Sequence, residues 1–186
     1  YGGAGQEPDV LKGAIIAEEY ARTGAPGNGI DQGPGLLAPT LLEFGSEEQK
    51  RKFVPPTLRR EVRWCQGYSE PGAGSDLASL QCAAVLDGDE WVINGEKWFT
   101  SAGRVADILF VMCTNGMFVV PRRSPGVEIM PEPRSHNHSK YVDVRIPADH
   151  LLGPEDGARI LAQRRLGGGR IHHAMRTIAQ CKLAFD

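Results

Sequence analysis

The sequence predicts an α+β fold with helices at both ends and a central antiparallel β-barrel or sandwich. Three observations carry that prediction. Apolar residues recur at helical spacing up to about Val54, alternate or cluster in β-branched runs from Trp64 to about Ile146, and return to helical spacing after Pro147. The corresponding divisions are 1–62, an N-terminal helical part; 63–147, the β-domain; and 148–186, the start of a C-terminal helical bundle.

Leu11, Ala14, Ile15 and Tyr20 fall on helical spacings and predict an amphipathic helix over Val10 to Arg22. Five glycines and two prolines between Gly24 and Gly35 predict a loop, and a second helix is expected over Leu36 to Phe44, stopped at Gly45. Ser46-Glu47-Glu48-Gln49 places a hydroxyl three residues before a glutamine, a capping box, with two carboxylates in the positive first turn of a third helix. That helix should end near Val54, before Pro55-Pro56. These pieces are too short to bury their apolar faces without another layer.

In the β-domain, Leu80 to Leu86 should pair with Glu90 to Ile93 across Asp87-Gly88-Asp89, and Trp91 to Ile93 with Glu96 to Thr100 across Asn94-Gly95. Ile108 to Cys113, Met117 to Val120, Val127 to Met130 and Tyr141 to Ile146 complete the strand series. Two joints, Thr114-Asn115-Gly116 and Arg134 to Lys140, look short or featureless, as if sequence were absent there. Helices are expected over Gly157 to Leu166 and Arg170 to Phe185, interrupted by Gly167-Gly168-Gly169; inside a continuous helix each glycine would cost about 1 kcal/mol against alanine. A long apolar stripe there calls for further helices or a partner chain.

Composition narrows the function. The 186 residues are 41% hydrophobic and 24% charged with a formal net charge of −2, an ordinary soluble globular profile. That charge gives no electrostatic case for nucleic acid, and no apolar run is long enough to insert in a membrane. With no charged-then-apolar leader in view, a cytoplasmic protein is expected. Cys65, Cys82, Cys113 and Cys181 are far apart without a CxxC pair, which argues against a zinc site and for reduced thiols.

Several chemistries can be set aside. Ser75 sits in Ala73-Gly74-Ser75-Asp76-Leu77, which lacks the flanking glycines of a nucleophile elbow. His172 and His173 are adjacent and do not share a helix face, and His136 and His138 fall in a loop-like stretch, so neither pair makes a strong metal site. Neither a P-loop nor a Gly-x-Gly-x-x-Gly turn after a strand is present.

The stretch Trp64 to Ser101 remains, a polar glycine-rich loop followed by strands that end in an aromatic and two hydroxyls. Gly72 and Gly74 admit torsions closed to other residues, so amide N–H groups there are expected to turn toward an anion or a planar heterocycle. Phe99 adds a flat face, and Ser69, Ser75, Thr100 and Ser101 add small donors and acceptors for a ring's edge.

Ser69-Glu70-Pro71-Gly72-Ala73-Gly74-Ser75-Asp76, followed by Asp89-Glu90-Trp91-Val92-Ile93-Asn94-Gly95-Glu96-Lys97, closely resembles the signature of the acyl-CoA dehydrogenase family. Tyr1-Gly2-Gly3 looks like the family's N-terminal helical domain entered partway. Phe44 to Lys50 matches a helix start of that domain, and Asp143 to Pro147 matches the exit from the β-domain. Gly169-Arg170-Ile171-His172-His173-Ala174-Met175-Arg176 looks like the branch that includes the acyl-CoA dehydrogenase 10/11-like proteins.

The resemblance implies FAD bound between the β-domain and C-terminal helices, an acyl-CoA substrate and removal of hydrogens from its α and β carbons. It further implies an electron-transfer flavoprotein as acceptor, a homodimer or homotetramer, and mitochondrial placement in a eukaryote. Carried over residue by residue, it makes Gln66, Tyr68 and Ser69 flavin-facing, and sets Gly74 and Ser75 near flavin and substrate. Phe99 takes the position of the stacking aromatic, Ser101 that of the hydroxyl at N5 with Thr100 beside it, and Arg170 falls on the substrate side. The catalytic carboxylate is not expected in this chain. Most relatives carry it in the C-terminal helical domain, a minority carry it just before an arginine, and here the residue before Arg170 is Gly169. Two other readings stay open, a non-catalytic partner subunit and an acyl-CoA oxidase.

Overall fold

The computed structural model describes residues 9–25, 32–131 and 136–185, so Tyr1-Gly2-Gly3 lies outside the described residues. Helix α1 is Val10–Thr23, capped by Asp9, whose carboxylate accepts from the Lys12 amide at 3.0 Å, and closed by Gly24 at φ 61°. None of its residues is buried, and Val10, Leu11, Ile15 and Ile16 are all exposed.

The expected loop up to Gly35 is shorter than predicted. Gln32 is already helical, and Gly33–Leu37 forms one turn of π-helix that runs into α2, Ala38–Phe44. Leu37 and Leu41 are fully buried, so packing overrides the glycines' reluctance. Helix α3, Glu47–Leu58, begins with the capping box: Gln49 N donates to Ser46 Oγ at 3.1 Å, and Ser46 N donates to Gln49 Oε1 at 3.0 Å.

The expected stop before Pro55-Pro56 does not occur, and the helix carries both prolines inside it. Phe53, Val54 and Thr57 are buried there, Thr57 Oγ1 donates to the Phe53 carbonyl at 2.6 Å, and the Trp64 indole donates to Thr57 Oγ1 at 2.8 Å. Burial of this last turn outweighs the two missing N–H groups.

Among the described residues eight strands follow: β1 Trp64–Gly67, β2 Ala83–Asp87, β3 Glu90–Lys97, β4 Ile108–Cys113, β5 Gly116–Pro121, β6 Val127–Pro131, β7 Asn137–Pro147 and β8 Leu151–Leu152. They form two four-stranded sheets, ordered β1-β4-β5-β8 and β2-β3-β7-β6. All pairings are antiparallel except β1 with β4, which is parallel. The Asp-Gly turn is present with Gly88 at φ 67°, but the second predicted hairpin is not. β3 runs straight through Asn94-Gly95, where the register against β7 shifts and Gly95 takes φ 148°. A bulge rather than a turn forms because Asn94 is held by a reciprocal pair of bonds with Asp143, at 3.0 and 2.9 Å.

Thr114-Asn115 is an ordinary two-residue link, since Cys113 pairs directly with Gly116 and Asn115 Nδ2 donates to the Ala84 carbonyl at 2.9 Å. The other suspected joint lies partly outside the described residues, and its remainder, Asn137 to Lys140, is in β7.

The layers are helices, first sheet, second sheet. Ile108, Phe110 and Met112 of β4 face Leu37, Leu41, Phe53 and Leu161, while Leu109, Val111 and Cys113 face the second sheet at Trp91, Ile93 and Val144. A strand covered on both faces reads as a continuous apolar run, as β4 does.

The two predicted C-terminal helices are one, α4, Ala158–Phe185, continuous through Gly167 to Gly169, beside which space is open. Only Ala158, Leu161 and Ala162 of α4 are buried.

Candidate functional site

The site begins where β1 ends. Gly67 lies under Lys97, whose Cγ would stand 3.2 Å from a Cβ at that position. Lys97 has the same parity in β3 as the inward residues Trp91 and Ile93, and its side chain is fully buried. Burial requires a partner, and Glu70, 6% exposed at its side chain, provides one: Lys97 Nζ donates to Glu70 Oε1 at 2.6 Å and to the Tyr68 carbonyl at 3.1 Å.

Glu70 also accepts from the amides of Gln81, at 2.6 Å, and Cys82, at 2.9 Å. Burial pushes its carboxyl up, but these donors and the Lys97 charge outweigh that and hold it below its ordinary value. The turn Glu70-Pro71-Gly72-Ala73 closes on itself through two backbone bonds of 2.9 and 3.1 Å, and Trp98 N donates to the Ser69 carbonyl at 2.8 Å.

The expectation that Gly72 and Gly74 take special torsions is not met: neither has a positive φ, and each has open space where a Cβ would be. The left-handed positions belong to Phe99, at φ 58°, and Ala102, at φ 64°. A bulky residue there is strained, and the neighbours force it. Between them Thr100 is fully buried. It exchanges backbone bonds with Asn137 at 2.8 and 3.2 Å and meets Ser139 Oγ at 3.2 Å, so its hydroxyl lines neither cavity of the site. Anchored at Thr100, the chain presents Phe99 outward, 62% exposed. Ser101 Oγ lies 2.6 Å from His136 Nδ1.

Two of the cavities beside the loop hold the residues singled out in the sequence. One, of about 320 Å³, is lined by Gln66, Tyr68, Ser69, Phe99 and Ser101, together with Gln32, Leu36 and Trp98. The other, of about 610 Å³, brings Gly74, Ser75 and Arg170 together with Met112, Arg159 and Gln163. Arg170 Nη1 donates to Gln163 Oε1 at 2.8 Å. Asp76, on this second wall, accepts from Ser79 Oγ.

Arg165 was not foreseen, since an arginine in a helix reads as surface. It donates to Gln66 Oε1, and its guanidinium lies 5.2 Å from the Tyr68 ring and 5.6 Å from the Phe110 ring. Its Nε and Nη2, Tyr68 Oη and Gln32 Oε1 are buried without a protein partner. Burial pushes the Tyr68 hydroxyl up to about 12, against the opposing Arg165 charge. Unpaired buried donors and acceptors beside a cavity with an exposed aromatic face fit a flat heterocycle with a polar edge, as in a flavin. Among the described residues no cluster of three metal-binding side chains occurs, and no helix is long and apolar enough to cross a membrane.

Helices on one face of a pair of β-sheets, with this loop at the rim, frame the site, and comparison with known proteins names the family. Residues 1–61 match the acyl-CoA dehydrogenase N-terminal domain, and residues 65–141 match the middle domain. The chain is 42% identical over 159 residues to the acyl-CoA dehydrogenase IpdE1 of Mycobacterium tuberculosis, covering 77% of this chain and 41% of that protein. Among solved structures it is similar to the Tcur3481-Tcur3483 steroid ACAD G363A variant, with a TM-score of 0.80, 32% identity, and 90% of this chain and 47% of that one covered. It is also similar to a chain of the ChsE4-ChsE5 complex from Mycobacterium tuberculosis, with a TM-score of 0.79, 32% identity, and coverage of 88% and 45%. The chain belongs to the acyl-CoA dehydrogenase family, whose members are FAD-dependent oxidoreductases. It spans less than half the length of each of these three relatives.

Proposed function

We propose that the protein dehydrogenates an acyl-CoA thioester to the trans-2-enoyl-CoA, and that this chain supplies one wall of its FAD and substrate site. The observation carrying this reading is the convergence of Gln66, Tyr68, Ser69, Phe99 and Ser101 on one cavity. FAD supplies the acceptor for the β hydrogen, taken as hydride. Phe99 stacks on the ring, Ser69 and Ser101 hold its edge, and Tyr68 with Gln66 covers the side toward Arg165. Ser75 and Arg170 bind the thioester end of the substrate in the neighbouring cavity, where Gly74 leaves the approach open. Thr100 acts by anchoring Phe99 and Ser101. The three divisions 1–62, 63–147 and 148–186 are proposed as domains, with the first sheet reaching into the third through β8. Electrons pass on to an electron-transfer flavoprotein.

The full-length protein should bind FAD and reduce a dye with an acyl-CoA drawn from a panel of straight-chain and steroid thioesters. Absence of flavin and of dye reduction with every thioester would overturn the reading; peroxide formation in place of dye reduction would make it an oxidase. Gly169 before Arg170 permits a second reading, a subunit that lacks its own base and completes a partner's site. Dye reduction by the protein purified alone excludes that.

A further inference from the structure

We infer that Cys82 and Cys113 form a dithiol that a small disulfide oxidises to an intramolecular disulfide joining the two sheets. Their sulfurs lie 3.6 Å apart between the start of β2 and the end of β4. The backbones are fixed side by side, because Thr114 N donates to the Cys82 carbonyl at 2.8 Å. A disulfide needs sulfurs about 2.05 Å apart, so closure asks for a small approach and no rearrangement of strands.

Cys82 is the entry point. Both thiols are buried, Cys82 at 1% and Cys113 at 0% exposure, but Cys82 stands in the wall of a cavity of about 410 Å³ with Glu70, Gly72, Gly95 and Lys140, and Cys113 does not. Gly95 keeps the sulfur open, since a Cβ there would stand 2.8 Å from Cys82 Sγ. The hydrogen bond between the two sulfurs holds the Cys82 thiol below its ordinary value and, together with burial, raises that of Cys113. Cys82 is thus the attacking thiolate and Cys113 the resolving thiol.

The reaction is thiol–disulfide exchange. Cys82 Sγ attacks one sulfur of a low-molecular-weight disulfide such as oxidised glutathione, releasing one thiol and leaving a mixed disulfide. Cys113, losing its proton, attacks Cys82 Sγ and releases the second thiol. Two electrons and two hydrogens leave the pair and reduce the small disulfide to two thiols.

The test is incubation of the native full-length protein with oxidised glutathione, followed by alkylation and peptide mapping. A Cys82–Cys113 linked peptide is expected, with exposed Cys181 carrying only mixed disulfide. The equilibrium constant for the link should be at least tenfold larger in folded than in urea-unfolded protein. In Cys113→Ser the reaction should stop at mixed disulfide on Cys82. Two outcomes would overturn the inference: Cys82 and Cys113 remaining free thiols while Cys181 is fully modified, or a folded-state constant no larger than the unfolded one. Because Glu70 accepts the Cys82 amide, closure should also shift flavin affinity. That second readout rests on the flavin reading above, whereas the peptide map does not.

Discussion

The loop Ser69–Asp76 and the segment Trp98–Ala102 border the same cavity but are held there by opposite means. The loop is fastened from beneath by a buried ion pair and two amide donors on Glu70, and its glycines sit at ordinary torsions with open space beside them. The segment is pinned at its centre by buried Thr100, with Trp98 N on the Ser69 carbonyl and Ser101 Oγ beside His136 Nδ1, and the two non-glycine residues Phe99 and Ala102 around that centre are left-handed. Glycine in this loop provides room, while the conformational strain resides in residues that carry side chains. A rigid floor facing a strained projecting aromatic is an arrangement suited to gripping a flat ring.

The most severe way to break this contrast is to remove the floor. Lys97→Met leaves the Glu70 carboxylate buried without its cation, and a loss of about 3–5 kcal/mol is expected, measured by urea unfolding. Adding Glu70→Gln should recover part of it; no recovery would show that Lys97 acts through its methylenes instead. Gly95→Ala comes next. Its Cβ would stand 2.7 Å from Cys82 Cα at a φ of 148°, so neither side chain nor backbone can accommodate it. About 2–3 kcal/mol should be lost, with Gly72→Ala, in open space, as the near-neutral comparison.

The floor should also respond to acid. Glu70 is held below its ordinary value, so its contribution is full above the unfolded carboxylate pKa of about 4.3 and is lost as pH falls through the lower folded value. His150 is also lowered, by burial, against the hydrogen bond between its Nδ1 and the Val119 carbonyl. Its share is present above about 6.5 and declines as pH falls below that. Stability measured against pH should therefore fall in two stages, and Glu70→Gln should shrink the lower one, to which exposed Glu61, lowered by its bond with Arg59, also adds.

Much of this was legible in the sequence. The capping box at Ser46, the Asp-Gly hairpin and the six apolar residues of β4 follow from short-range chemistry, and the signature is legible by its resemblance to a known family. What escaped depends on tertiary partners. Asn94-Gly95 has the composition of a turn, and Asp143, far along the chain, makes it a bulge. Pro55 and Pro56 stay helical because Trp64 reaches Thr57. Lys97 was read only as part of the signature, because the turn expected at Asn94-Gly95 separated it from Trp91 and Ile93, and its pairing with Glu70 needed the loop's path. Arg165 gave no signal, since its partners Gln66, Tyr68 and Phe110 come from other elements.

The smallest expected effect is the sharpest test of the contrast. Phe99 is 62% exposed, so its ring contributes little packing to the free protein, while its φ of 58° costs about 1–2 kcal/mol. Glycine removes that strain and loses about 0.5–1 kcal/mol in added freedom of the unfolded chain. Phe99→Gly should therefore leave stability equal or raise it by about 0.5 kcal/mol, where alanine, still strained, gives no gain. Flavin affinity should move the other way, weakening about fivefold as one aromatic face is lost, read by titration of the apoprotein. A stability loss in Phe99→Gly equal to that in Phe99→Ala would mean the left-handed backbone is unstrained. The segment would then be held as passively as the loop.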